Sequence, residues 1–306
     1  MRPEAPLVSV IIPLYHSETT LGGCLDALAA QTERRFETIL IDSSETDAAR
    51  AIAERHANVD YLHLSRRLWP QAARNFGAER ARGRLFVFTD PDIYPRPEWL
   101  AQLVQSHERA PGIVFGPIAC HGRRWVDRGV HLCKFNICLP GTPAGPVALG
   151  WSGNVLVARE TFEALGGWDT VHTQGDSVFS ARARRRGIEL RLEPAAVVDH
   201  DHEGVALAAL IRERAWRGRE FAEMEAAGEL DTGDQQTPPT VGRALVKAAA
   251  MPFRVGGALL RIGRSAARAG MADEFFVTLP VVTLGVAGWY AGMAAGWLRS
   301  IRLRAV

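Results

Sequence analysis

Four strand-like runs alternate with short helical patterns over the first ninety residues, and few architectures accept that order. LVSVIIPLY (7–15), FETILIDSS (36–44), VDYLHLS (59–65) and RLFVFTD (84–90) read as strands. Between them SETTLGGCLDALAAQ (17–31) places Leu21, Leu25 and Leu28 at helical spacing, and DAARAIAERH (47–56) and QAARNFGAERA (71–81) continue the helical pattern. The alternation predicts an α/β fold: a doubly wound, mostly parallel central sheet with helices on both faces. Ligands bind such a sheet where its strands end. Three ends carry polar groups: Tyr15 and Glu18 after the first run, Asp42 and Ser43 after the second, Asp90 and Asp92 after the fourth.

With 306 residues, 47% apolar and 23% charged, the chain is long enough for one such domain and a further segment. Cys24, Cys120, Cys133 and Cys138 form no CxxC pair, and the spacings around Cys120, His121 and His131 fit no zinc pattern, so buried thiols in a reducing cytoplasm are expected. The first apolar run is interrupted by Pro13 too early to read as a signal peptide. A dinucleotide-binding domain needs G-x-G-x-x-G after its first strand, where this sequence has PLYHSETTLGG. Lacking a glycine cradle, a phosphate ligand calls for a cation. The DPD triplet of Asp90 and Asp92 suits a divalent metal, Mg²⁺ or Mn²⁺, which takes one or two carboxylates and fills its shell with phosphate oxygens.

The last part of the chain has a different character. Residues 241–306 hold nine Lys and Arg against Asp273 and Glu274, a net +7, which leaves −5 on residues 1–240 because the whole chain is +2. On an ideal helix Arg243, Lys247, Arg254, Arg261, Arg264 and Arg268 fall on one side and Leu245, Ala249, Leu259 and Ala266 on the other, the pattern of a helix lying on anionic lipid. Pro252 and Gly256-Gly257 are expected to break it in two. FFVTLPVVTLGVAGWYAGMAAGWL (275–298) is uncharged and long enough to cross a bilayer, and basic residues at both ends leave a full span and a re-entrant hairpin open. Gly288, Gly292 and Gly296 form a flat face for a partner helix, expected from a second copy of the chain in a homo-oligomer.

Four blocks taken in order, VSVIIPLYHSETTLGGCLDAL, ILIDSSETD, ARNFGAERARGRLFVFTDPD and NVLVARETFEALGGWD, resemble the nucleotide-sugar-dependent family 2 glycosyltransferases of GT-A fold over about residues 7–220. The resemblance implies a catalytic domain over 1–235, with a nucleotide-sugar half near 1–120 and an acceptor half near 121–235, followed by membrane-associated helices over 236–306. It implies that Asp42 accepts a hydrogen bond from the nucleobase, with Pro13, Tyr15 and Glu18 as floor and wall. Asp90 would lie near the ribose, Asp92 and His200 would hold the metal (His200 in preference to His202), and Arg74 and Asn154 would help fix the donor, with Gly153 beside Asn154 bordering its sugar. Where the family usually has Glu-Asp at a helix start, this chain has Gly175-Asp176, leaving Asp176 as the expected catalytic base. Asp42 as a turn former and Asp176 as a helix cap stay open as alternatives.

The function implied is an inverting transfer of a sugar from a nucleoside-diphosphate sugar to a lipid-linked or envelope glycan, on the cytoplasmic face of the membrane. No nucleic-acid partner is expected. Two rivals stand beside it. A sugar nucleotidyltransferase would want a Gly-rich, Arg/Lys-bearing loop after the first strand, which is absent; a degenerate homologue acting as a membrane assembly partner is suggested by Ser43 and Gly175 but opposed by the retention of Asp42, Asp90, Asp92 and Asp176.

Overall fold

A computed structural model of the protein describes residues 5–171, 174–202, 204–228 and 249–304, together with 242 and 246. They form two compact units. The first unit contains all the strands among the described residues. The expected βαβ alternation is present as β1 (Val8–Leu14), α1 (Leu21–Ala29), β2 (Phe36–Asp42), α2 (Arg50–Ala53), β3 (Val59–His63), α3 (Pro70–Ala78) and β4 (Leu85–Thr89). There follow β5 (Ile93–Pro95), α4 (Trp99–Arg109), β6 (Ile113–Phe115), β7 (Ile118–Cys120), and, after α5 (Trp125–Phe135), β8 (Gly145–Pro146), β9 (Asn154–Ala158) and α6 (Arg159–Ala164). The unit ends with α7 (Gly175–Arg185), β10 (Leu190–Leu192) and β11 (Val198–His200).

The large sheet runs β3-β2-β1-β4-β9-β6-β10-β8, and β5-β11-β7 form a smaller one. Strands β1 to β4 pair in parallel, whereas β9 runs against both of its neighbours and β8 against β10. The reversal of β9 sets Asn154, its first residue, opposite Thr89, the last residue of β4. All of β1 is buried, as its unbroken apolar run requires of a strand covered on both faces. Strand order reverses between β1 and β4, and there the ladder stops early: β1 pairs with β4 only from Val8 to Ile11. Pro13, which has no N–H to give, lies just beyond. The strands part at the switch point, where a crevice for a ligand is expected.

The second unit is helical and gathers α5, α8 (Leu207–Ala227), α9 (Met251–Arg268) and α10 (Ala272–Arg304). Leu132, Cys133, Ala258, Ile262, Phe275 and Val282 share one core cluster, and Ala222, Met293 and Trp297 another. The expected break at Gly256-Gly257 does not occur: α9 is continuous, and Pro252 sits in its first turn, where no backbone donor is needed. Residues 275–298 lie in one unbroken helix rather than a re-entrant hairpin, and Ala272–Ser300, with mean hydropathy 1.5, is long and apolar enough to cross a membrane.

The glycine face has a partner other than the one expected. A methyl group on Gly292 would stand 1.9 Å from the Ala215 carbonyl oxygen, and one on Gly296 2.4 Å from that of Arg219, so α8 of the same chain fills this face and leaves no room there for a second copy. Arg243, Leu245 and Lys247 of the basic stripe, and the expected boundary at 235–236, lie outside the described residues.

Candidate active site

The expected nucleotide end is a closed hydrogen-bond cluster. Asp42, at the end of β2, is fully buried. Its Oδ1 accepts from the Ser44 amide at 2.9 Å and the Ser44 hydroxyl at 2.6 Å, and its Oδ2 from the Tyr61 hydroxyl at 2.6 Å. Tyr61 comes from β3, which lies beside β2; burial and the Asp42 hydrogen bond raise its phenol above the ordinary value. At the end of β1 the Tyr15 hydroxyl donates to Glu45 at 2.9 Å, and the His16 amide donates to Ser44 Oγ at 3.0 Å. The Arg67 guanidinium lies 4.2 Å over the Tyr15 ring and 5.0 Å over that of Trp69. Glu18, half-buried, lies between β1 and α1. Sequence reasoning missed Tyr61, Arg67 and Trp69; the strand order β3-β2-β1 is the signal that could have placed Tyr61 beside Asp42.

The fourth strand end is built differently. Arg74, buried on α3, donates to Asp90 Oδ1. Cys24 is buried beneath, its Sγ 3.7 Å from the Asp90 carbonyl oxygen; burial, then the charges of Asp92 and Asp90, push its thiol far up and keep it protonated. A methyl group on Gly153 would come within 3.1 Å of Asp90 Oδ2, so the glycine keeps the space beside that carboxylate clear.

Asp92 and His200 face each other, with Nε2 3.8 Å from Oδ2. Backbone pairing sets them there: His200 of β11 lies opposite Ile93 of β5, and the Asp201 amide donates to the Asp92 carbonyl at 2.8 Å. His200 Nδ1 is 2.9 Å from the Asp201 carbonyl oxygen, which can only accept, so Nδ1 carries a proton. In the neutral ring the Nε2 lone pair then points at Asp92, the tautomer a metal ligand needs. Among the described residues no three His, Cys, Asp or Glu side chains come together as a metal cage. Two such donors would suit a hard divalent ion that completes its shell with ligand oxygens and water. His202, the other candidate, is buried with its Nε2 3.1 Å from His131 Nδ1.

Asn154 departs from its expected role. It is fully buried: Oδ1 accepts from Trp99 Nε1 at 2.7 Å, and Nδ2 donates to the carbonyls of Pro117 at 3.0 Å and Ala196 at 2.9 Å. With both donors and its oxygen engaged, the side chain is a clamp between backbone segments rather than a sugar contact.

Asp176 lies in the first turn of α7, where the helix dipole favours a carboxylate. The preceding position is closely packed. A methyl group on Gly175 would stand 2.9 Å from Gln71 Cγ and 3.1 Å from the Asp169 carbonyl oxygen. Gln71 lies one turn before Arg74 on α3, and Asn75 bonds both the amide and the carbonyl of Trp168 at 2.9 Å. The first turns of α3 therefore join the GGWD turn and the start of α7 to Asp90.

The sequence profile described as Glycosyl transferase family 2 matches residues 9–161, half of the chain. Glycosyltransferase AglE of Haloferax volcanii is 31% identical over 112 residues, 35% of this chain and 37% of that protein. The undecaprenyl-phosphate 4-deoxy-4-formamido-L-arabinose transferase of Pseudomonas aeruginosa is 33% identical over 146 residues, 43% of each chain. The matches thus span well under half the length of these curated relatives. Among solved structures, mannosyltransferase PcManGT from Pyrobaculum calidifontis, in complex with GDP-Man and Mn²⁺, superposes with a TM-score of 0.58 at 22% identity, covering 99% of this chain and 87% of that one. The fold is GT-A, and on the profile match the chain belongs to glycosyl transferase family 2.

Proposed function

We propose that this chain is an inverting glycosyltransferase that moves a sugar from a nucleoside-diphosphate sugar to a lipid-linked acceptor, at the cytoplasmic face of a membrane where nucleotide sugars are made. The observation that carries the reading is the meeting of Asp92 with a His200 of the ligand tautomer beside the β1–β4 crevice. The named activities of the two relatives and of PcManGT, one acting on undecaprenyl phosphate and one bound to GDP-Man and Mn²⁺, support the acceptor class, donor class and metal.

In this reading Pro13, Tyr15 and Glu18 wall the nucleotide, and Asp42 shapes the base pocket by holding the Tyr61 hydroxyl and Ser44. Asp92 and His200 hold the divalent ion, which when bound neutralises charge gathering on the departing diphosphate. Arg74 holds the Asp90 side chain by its Oδ1, aimed toward the ribose. The Asp176 carboxylate takes the proton of the acceptor oxygen as that oxygen bonds to the anomeric carbon and the carbon–diphosphate bond breaks. A non-catalytic reading drew on Gly175; packing against Gln71 and Asp169 accounts for the glycine without loss of the site.

The test is Asp176→Asn, assayed with a lipid-linked glycan that offers a free hydroxyl as acceptor, Mn²⁺ and a panel of UDP- and GDP-sugars. Donor binding is retained and turnover falls by about 10²–10⁴-fold, or ~3–5 kcal/mol of barrier. Near-normal transfer by the variant would remove Asp176 from the mechanism.

A further inference from the structure

We propose that α10 does not cross the membrane, and that α9 and α10 lie in its plane as a one-sided anchor on anionic lipid. The inference rests on the membrane part of the reading above and concerns how the helical unit meets the bilayer.

Length and composition alone would let α10 span, but its neighbour forbids it. Helix α8 runs parallel to α10: Leu210 packs near Gly285, the Ile211 carbonyl faces Gly288, that of Ala215 faces Gly292, that of Arg219 faces Gly296, and Glu225 accepts from Trp297 Nε1 at 2.7 Å. Eight charged side chains lie on α8 between Arg212 and Glu225. In a spanning arrangement they would stand at bilayer depth along most of the apolar segment. Arg212 is exposed, and its neighbour Ile211 faces Gly288, close to the middle of Ala272–Ser300. A charged Arg at that depth opposes insertion. Ion pairs to α10 at both ends, Arg128 to Glu274 at 3.2 Å and Arg299 to Glu223 at 3.9 Å, hold the charged neighbours in register.

What α10 does present is an uncharged outer stripe. Phe276 (70% exposed), Val277, Pro280, Leu284, Ala291 and Leu298 recur at helical spacing along one side. They cover about 33 Å at 1.5 Å per residue. On α9 the side away from the buried Ala258, Ile262 and Ala266 exposes Phe253 (84%) and Leu260 together with Arg261, Arg264 and Arg268. No acid occurs anywhere in 241–272. Exposed apolar groups among arginines with no acid nearby in sequence complement an anionic lipid surface and would repel a second copy of the same face. The apolar side chains then reach only the headgroup and upper acyl region.

The experiment uses the full chain expressed in bacteria, with single cysteines introduced as Gly270→Cys and Ser300→Cys before and near the end of α10, and the unsubstituted protein as the labelling baseline. A membrane-impermeant maleimide modifies both variants in inverted membrane vesicles and neither in intact spheroplasts. Modification of either one only from the spheroplast side would show a crossing and overturn the proposal. Purified protein floats with phosphatidylglycerol vesicles at least tenfold better than with phosphatidylcholine vesicles. Phe276→Glu with Leu284→Glu weakens flotation on both, and Arg261→Glu with Arg264→Glu removes the anionic preference. Absence of flotation on the anionic vesicles, or a dimer dissolved by the Phe276→Glu, Leu284→Glu pair, would also overturn it. None of these readouts needs turnover, so a failure of the transferase reading would leave this result standing.

Discussion

Two strand ends in the same sheet treat their carboxylates in opposite ways. At the end of β2, Asp42 is fully buried and its oxygens accept three bonds from Ser44 and Tyr61. Beyond the end of β4, Asp92 is more than a third exposed and stands 3.8 Å from the Nε2 of His200. A buried carboxylate that meets its needs internally contributes to the fold, while a half-exposed one beside a second donor is available to a ligand. Sequence alone gives the two the same description, an acid after an apolar strand.

The sharpest way to break the comparison is Asp92→Ala. If Asp92 holds the ion as proposed, Mn²⁺-dependent binding of a nucleoside diphosphate weakens by about 100-fold or more, while stability changes by no more than about 0.5 kcal/mol because the side chain is more than a third exposed. Calorimetry with and without Mn²⁺ reads the first effect and denaturant unfolding the second. An unchanged affinity would put the ion elsewhere.

Asp42→Ala reverses the weighting. Removing the acceptor strands the Tyr61 and Ser44 donors and costs about 1–3 kcal/mol of stability, read as a lower denaturation midpoint at unchanged slope. If this variant proved as stable as Asp92→Ala, the division into a folding and a ligand carboxylate would fall.

Tyr61→Phe is the mildest change, about 0.5–1.5 kcal/mol for one hydrogen bond. It has a pH signature. Because the folded phenol titrates above its ordinary value near 10, the stability it contributes is complete below that pH and drains away as pH rises beyond it. The Phe variant loses that part of the alkaline decline, measured as unfolding midpoints from pH 8 to 11.

What could be read from the sequence was local. The first, second and fourth strands announce themselves as apolar runs and the third by its place in the alternation, and Asp42, Asp90 and Asp92 follow because the sheet type fixes where ligands go. The three-residue strands β5, β7 and β11 are too short to show any period, so the small sheet that carries His200 to Asp92 could be reached only through the family resemblance. Asn154 was misread for a similar reason. An Asn at a strand start looks the same whether its amide meets a sugar or three buried partners, and the partners here come from positions 99, 117 and 196. The glycines of α10 were correctly read as a close-packing face, but nothing local says that the helix seated on it is α8 of the same chain.

The Asn154 clamp has a consequence for how fast the site can respond. Its amide ties the first residue of β9 to the carbonyls of Pro117 and Ala196, just ahead of β7 and β11 in the small sheet. To swing β11, and His200 with it, away from Asp92 the molecule would have to break two buried hydrogen bonds and expose the amide to unpaired burial. The entropy of aligning Asp92 with His200 is therefore spent during folding. On the proposed reading, an ion would meet a seat already set rather than one that has to assemble around it.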